Sequence, residues 1–501
     1  MPVEDGFLRA HLFNHFVFEI GGWHSPFSIR DQMFRARTIV ERARRLGLIS
    51  PSGRRLLIVG AGAAGVTAAL QAAVFCSEPI ETVLVEGASE PFSRQSECPT
   101  RYICPTESDW PLAHWRERRY PWNGPAMPLS WRAGAADKLA HKWSAQLIAA
   151  TRQKQTGSAL TFIPDFPLRP RPDGIIYKYL PNGLHEVQFK DGTKDAFGMI
   201  LFCTGPGIEI TTLGNFQGLD FWEKDTLLKP GFGLRLPKKA SRHNPRFPKT
   251  LISGGGDGAL QDFVRAVTKR RSVGQVAAEI FATLDPLLVR QLEQRIFSVE
   301  DQFQRAFILS PDGEEDCRIN TAIHMAHKQI IADLKRNNGK YQKRWPGVWE
   351  EISAFVQKEI ISQPDATHAE LIHPCTHFTK CYALNRFIVL LLASHIAELH
   401  HFGAIKTGYV VTNISGQGHI CERKPRACFD RPHKVEMGLA NCAEFRAWQK
   451  SLAKGSAVDT PQTIDSHVYH LITLRHGIKS TPIDGNPRAP VRHLLPYWPV
   501  S

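Results

Sequence analysis

No apolar run in this 501-residue sequence exceeds seven residues. The longest, Phe387–Ala393, falls far short of the ~20 residues needed to cross a bilayer. Glu4 and Asp5 stand near the N-terminus, where a secretory signal would place a basic and then an apolar stretch. Cysteine is sparse, 10 in all, and no two are spaced Cys-x-x-Cys. That excludes a disulfide scaffold and the usual paired zinc knuckles. Together these absences predict a soluble protein of a reducing cytosol, with no membrane span and no bound metal.

Charge is uneven but not concentrated. Lys and Arg number 62 against 48 Asp and Glu, a net +14. Such an excess attracts anions of any kind and selects none. The densest basic loop, Leu236–Thr250, carries Lys238, Lys239, Arg242, Arg246 and Lys249, and reads as a solvated loop. No basic helix with interleaved aromatics marks a nucleic-acid reader. Length implies two or three domains.

What is present centres on residues 54–88. An apolar strand, Leu56–Val59, runs into Gly60-x-Gly62-x-x-Gly65, then a small-residue helix, then a second strand, Thr82–Val85, ending on Glu86. This is a dinucleotide-binding β-α-β pattern. Gly60 makes the tight turn. Gly62, flanking Ala63 and Ala64, lets a pyrophosphate approach the backbone at the helix N-terminus. Gly65 lets helix and strand pack closely. Glu86 lies 24 residues beyond Gly62, near the spacing of about 20 expected of a ribose-binding acid.

Before this motif, Leu12–Ile20 reads as a short strand or docking segment. Ser28–Leu46 reads as an amphipathic helix capped by Ser28 and ended by Gly47, its arginines on a solvated face. After Glu86, Gly87–Pro128 is rich in proline and tryptophan and reads as a long irregular loop. Within it Arg101 could neutralise a phosphate, Tyr102 or Trp110 could cover a flat ring, and Asp109 could supply a polar group. Trp131–Thr151 reads as a helix. Ile175–Tyr179, Leu184–Phe189 and Phe197–Phe202 read as short strands, the last leading to Thr204-Gly205.

A second glycine turn follows a strand at Leu251–Ser253: Gly254-x-Gly256-Asp257-x-Ala259. Its expected sequel is another strand bearing an acid or arginine for a ribose. None is legible. Lys269-Arg-Arg271 leads into helix after helix through residue 402, and strands return at Gly408–Ile414, Lys434–Leu439 and His467–Leu474. His373, Cys375, His377 and Cys381, and separately His419, Cys421, Cys428, His433 and Cys442, are close enough in sequence to raise zinc, without knuckle spacing. Arg475-His476 at a strand end is a candidate active-site edge.

The first fingerprint with Glu86, the Phe202-Cys-Thr-Gly205 strand end and the second glycine turn, in that order, resemble the two-dinucleotide flavoprotein superfamily of FAD- and NAD(P)H-dependent oxidoreductases. The resemblance covers roughly residues 54–265. It implies an α/β fold: a Rossmann-like FAD-binding domain with a second, partial dinucleotide-binding element and a large helical insertion. The implied division is an N-terminal extension at 1–53, an α/β domain formed by 54–259 with 404–501, and a helical domain at 260–403. FAD is expected on Gly60, Gly62, Ala63, Ala64, Gly65, Glu86, Arg101, Thr204 and Gly205. NAD(P)H is the further cofactor that Gly254, Gly256, Asp257 and Ala259 suggest. Cys98 and Cys104 lie loosely where a disulfide reductase carries its redox pair.

The function so implied is hydride transfer between NAD(P)H or a small organic substrate and the flavin, with no catalytic residue named. Two alternatives stand beside it. One is a non-catalytic FAD- or NAD(P)-binding sensor that recruits a protein partner through its helical part. The other is an NAD(P)-dependent dehydrogenase without flavin.

Overall fold

A computed structural model describes residues 5–21, 24–25, 28–108, 110, 119–120, 127–152, 159–166, 176–189, 192–229, 248–309, 313–336, 343–362, 365–378, 381–415, 433–440, 444, 463–479 and 491–492. The fold is mixed α/β and divides into two compact units. The first takes 1–99, 117–208 and 478–501, and the second takes 100–116 and 209–477.

The first unit is built on a six-stranded sheet. Its strands are β1 (Leu12–Asn14), β2 (Val17–Glu19), β3 (Leu56–Val59), β4 (Thr82–Val85), β5 (Leu160–Ile163) and, past a small antiparallel sheet of β6 (Ile176–Tyr179), β7 (His185–Gln188) and β8 (Lys194–Phe197), β9 (Met199–Phe202). The spatial order is β1-β2-β9-β3-β4-β5. Only the β1–β2 pair is antiparallel. All four residues of β3, β4 and β9 are buried, as expected of parallel strands covered on both faces. Residues 12–19 are therefore strands of this sheet, not an extension packed against it.

Helix α1 (Ile29–Arg45) starts at a capping box in which Asp31 N–H donates to Ser28 Oγ and Ser28 N–H donates to the Asp31 carboxylate. It packs on α2 (Ala63–Leu70), the helix that joins β3 to β4. Not all its arginines are solvated: Arg30 and Arg35 are buried, Arg30 paired with Asp31 at 3.0 Å. Helix α3 spans Ala136–Arg152, and Trp131 precedes it in a short strand.

The second unit carries its own parallel sheet. Strand β10 (Thr250–Ser253) is followed by α4 (Asp257–Thr268), α5 (Val273–Phe281), α6 (Pro286–Leu309), α7 (Gly313–Lys335) and α8 (Val348–Phe355). Then come β11 (Ala369–His373), α9 (Ala383–His400), β12 (Ile405–Thr407), β13 (Tyr409–Ser415), β14 (His433–Leu439), β15 (Thr463–Tyr469) and β16 (Leu471–Leu474). The parallel order is β12-β11-β10-β16, while β13, β14 and β15 form an antiparallel sheet. The stretch expected as one strand, His467–Leu474, is thus two strands in different sheets, broken at His470.

The expected helical domain at 260–403 does not stand apart. It contains β11, which pairs with β10, and its α9 packs on α4, α5 and α7 within one apolar core that includes Phe263, Ile280, Phe387 and Leu391. Among the described residues α9 alone is long and apolar enough to cross a membrane, and 67% of it is buried inside the structure. That is the surface pattern of a core helix.

Candidate dinucleotide sites

In the first unit, sheet register brings the fingerprint together. Val59 pairs with Val85, and Gly60 N–H donates to Val85 O at 2.8 Å. This sets Glu86 beside the glycine turn. Gly60 has φ +100°, and a Cβ there would lie 2.6 Å from the Cys203 carbonyl oxygen at the end of the neighbouring β9. At Gly65 a Cβ would lie 1.8 Å from the Gly60 carbonyl oxygen. Both glycines are demanded by the protein's own backbone. Gly62 is not: among the described residues a Cβ there would meet nothing within 4 Å. It caps α2 without any side-chain partner, and Ala63 and Ala64 beside it are half-buried. The turn therefore leaves open space over a helix N-terminus whose first N–H groups have no intrahelical acceptor.

Glu86 is held by two backbone donors. Ala61 N–H reaches Oε2 at 2.5 Å and Ala88 N–H reaches Oε1 at 3.0 Å. The side chain stays partly exposed. A carboxylate offers about four acceptor positions, so the two backbone donors do not exhaust its accepting capacity. Thr204 and Gly205 are exposed at the end of β9, and Gly205 has φ +89°. Burial pushes the Cys203 thiol well above its ordinary range, which leaves it unreactive.

The second unit repeats this architecture. Gly254 N–H donates to Ile372 O at 2.9 Å, and Arg475 N–H donates to Ser253 O at 2.8 Å. Gly254 has φ +142°, with the Arg475 carbonyl oxygen 2.4 Å from where a Cβ would stand. Gly256 caps α4 as Gly62 caps α2. The missing strand exists: it is β11, reached only after α4–α8. The strand carries Glu370 and His373 among its five residues, so it shows no plain apolar run.

By register His373 holds the place of Glu86, and Arg475-His476-Gly477 that of Cys203-Thr204-Gly205. Gly255 matches Ala61, Asp257 matches Ala63, Gly258 matches Ala64 and Ala259 matches Gly65. The contents differ sharply. His373 is buried, its ring so close to Gly255 that a Cβ there would come within 2.3 Å. Burial holds its pKa down at about 3, so the ring is neutral at physiological pH. Asp257 Oδ1 accepts from Tyr382 N–H at 2.8 Å and Asn385 Nδ2 at 2.7 Å. The Phe221 ring lies 3.4 Å from the Cβ position of Gly258. Ser253 Oγ and His476 Nε2, at the ends of β10 and β16, are 2.8 Å apart and buried. Burial lowers His476 to about 4.

Arg101 belongs to the second unit, not to the unit that carries the first fingerprint. It is 2% exposed, with Nη1 on Asp262, Nε donating to Phe221 O at 2.6 Å and its guanidinium 3.9 Å from the Phe221 ring centre. Arg265 binds Asp225 at 2.8 Å through both terminal nitrogens, and Arg475 Nε binds Asp262 at 2.9 Å. Burial alone would raise Asp262, but the guanidinium groups of Arg101, Arg475 and Arg265 hold it far below the carboxylate range. The charge expected to neutralise a phosphate is spent inside a buried ionic network.

The remaining candidates disperse. Trp110 is buried between Phe281 and Phe387, ring centres 5.9 and 5.5 Å away, so it covers no ligand ring. Asp109, Trp115 and Trp122 lie outside the described residues, as do Lys238, Lys239, Arg242, Arg246, His419, Cys421, Cys428 and Cys442. Cys98 and Cys104 are not joined in a disulfide, and Cys375 is disulfide-bonded. His377 Nδ1 is 2.8 Å from Thr321 Oγ1. Among the described residues no three His, Cys, Asp or Glu side chains are arranged to hold a metal.

One buried acid went unnoticed in the sequence. Glu107 accepts from Gly274 N–H at 3.0 Å and Gln261 at 3.1 Å, and burial raises it to about 7. It caps the start of α5.

No protein-family profile matches the sequence, and no curated protein matches it. Three solved structures illustrate the likenesses found. Cyclohexanone monooxygenase with ε-caprolactone bound, in its Loose conformation, is 10% identical over 87% of this chain and 75% of that one, TM-score 0.30. OTEMO in complex with FAD and NADP is 11% identical over 73% and 67%, TM-score 0.29. The Diels-Alderase PyrE3 of the pyrroindomycin pathway is 13% identical over 31% of this chain and 36% of its own length, TM-score 0.20. At such identities and TM-scores these likenesses carry no argument about this chain.

Proposed function

We propose that the first unit binds FAD and that the protein is an FAD-dependent oxidoreductase acting on a small organic molecule. The observation that carries this reading is Gly62. Nothing among the described residues requires a glycine there, and the residue leaves space free of them over the N-terminus of α2. Glu86 stands beside that turn with spare acceptor capacity.

In this reading the N–H groups at Ala63 and Ala64 hold the pyrophosphate, the Glu86 carboxylate accepts from the ribose hydroxyls, and Thr204-Gly205 lines the far side of the turn. Gly60 and Gly65 keep the strand, turn and helix close enough for this to hold. When bound, the flavin supplies the hydride chemistry. The protein's part is binding and orientation, and the buried Cys203 takes no part.

The test is direct. Protein purified without added nucleotide is denatured and the released cofactor identified by chromatography. FAD at one per chain supports the reading. Protein free of flavin that takes none up on incubation with FAD refutes it. A Glu86→Ala variant should retain less FAD than the parent.

A further inference from the structure

We propose that the second unit's dinucleotide cradle is closed by the protein's own side chains, so that no nicotinamide dinucleotide docks on Gly254–Ala259. Three positions carry the inference, each read against its counterpart in the first unit.

The first is the ribose position. Glu86 is partly exposed, whereas the His373 ring lies against Gly255 and is 2% exposed. The loop after β11 folds over it. Pro374, Cys375 and Phe378 of that loop are themselves buried. Phe378 is in turn fixed by α7: its ring centre is 4.9 Å from that of His324, and its N–H donates to His324 Nδ1 at 3.4 Å. Helix α7 belongs to the insertion between β10 and β11. In the first unit the same crossover is α2 with one wide final turn, and Glu86 stays partly exposed.

The second is the phosphate position. Where α2 begins with Ala63, α4 begins with Asp257. Its carboxylate sits at the positive end of the helix and is bonded by Tyr382 N–H and Asn385 at the start of α9. The favourable seat for an anion is taken by an internal one of the same sign as a pyrophosphate. The third is the space above the turn. Ala64 is half-buried at the first turn, while at its counterpart Gly258 a Cβ would stand 3.4 Å from the Phe221 ring and 3.6 Å from Arg475 Cδ. Arg475 and Phe221 are held in turn by Asp262 and Arg101. The buried ionic network thus backs the closure.

The experiment uses the full-length protein as purified and does not depend on whether FAD is bound, which absorbance records in the same samples. NADPH and NADH are each titrated to millimolar concentration while hydrogen–deuterium exchange is followed at residues 254–260 and 371–377. The expected result is no slowing at either segment. Binding of either nucleotide without slowing there places it elsewhere and leaves the closure intact. Saturable slowing at 254–260 overturns the proposal. An Asp257→Ala/His373→Ala variant with parental circular dichroism should gain such slowing. A folded double variant that gains none overturns the assignment of these side chains as the closure.

Discussion

The His373 imidazole lies on Gly255, at the end of β11, where its counterpart in the first unit, Glu86, bonds the N–H of Ala61. One strand-end position thus serves two ends: a partly exposed carboxylate in one unit and a buried imidazole in the other. Gly255→Ala would drive a methyl into the ring. Overpacking of this kind costs about 1–3 kcal/mol, read as a lower midpoint in chemical denaturation. His373→Ala in the same chain should recover most of that loss, because the clash is pairwise.

The glycines of the first turn should separate by role. Gly60→Ala meets the Cys203 carbonyl and an unfavourable φ together, and should lose about 2 kcal/mol or more of stability. Gly62→Ala meets nothing among the described residues. Freed of flavin, it should melt like the flavin-free parent, while as purified it retains less FAD. Comparing melting temperature with flavin content across the two variants checks both halves.

What was legible in the sequence follows from how local each contact is. Gly60, Gly62, Gly65 and Glu86 belong to a crossover with one helix, so spacing alone assembles them. Strand β11 could not be found this way. Its partner β10 ends at Ser253, with helices α4–α8 between, and its own Glu370 and His373 hide the apolar run. Arg101 shows a different limit. An arginine suited to a phosphate is equally suited to a buried aspartate, and only the fold brings Asp262 to it.

Removing one member of that network should be costly in a definite order. Asp262→Asn leaves Arg101, Arg265 and Arg475 around a neutral group, and should cost about 3–5 kcal/mol. Arg101→Leu leaves Asp262 with two guanidinium partners, so its cost should be smaller. Denaturation curves of the two variants decide the order. Flavin content per folded chain should be unchanged by Arg101→Leu.

Stability should fall on mild acidification. Burial lowers His324 to about 2, His373 to about 3, and His395 and His476 to about 4. The unfolded chain, with histidines near pH 6.5, therefore binds more protons than the folded one below that pH. Stability is full above pH 6.5 and is lost as pH falls towards these values, at up to about 1.4 kcal/mol per pH unit for each histidine. Glu107, raised to about 7, acts oppositely: its folded form holds a proton that the unfolded chain releases above about 4.5. Four histidines outweigh one acid, so denaturation midpoints at pH 7.5, 6 and 5 should decline in that order. His373→Gln should flatten the slope.

The account rests on the open space at Gly62 being the seat of a flavin. The deciding measurement is the visible spectrum of the purified parent beside Gly62→Val, both checked for intact secondary structure. The parent should be yellow, with flavin absorbance that denaturation releases as FAD, and the folded Gly62→Val protein should be colourless. A folded Gly62→Val protein that keeps the parent's full flavin content, or a parent that binds none, would contradict the account.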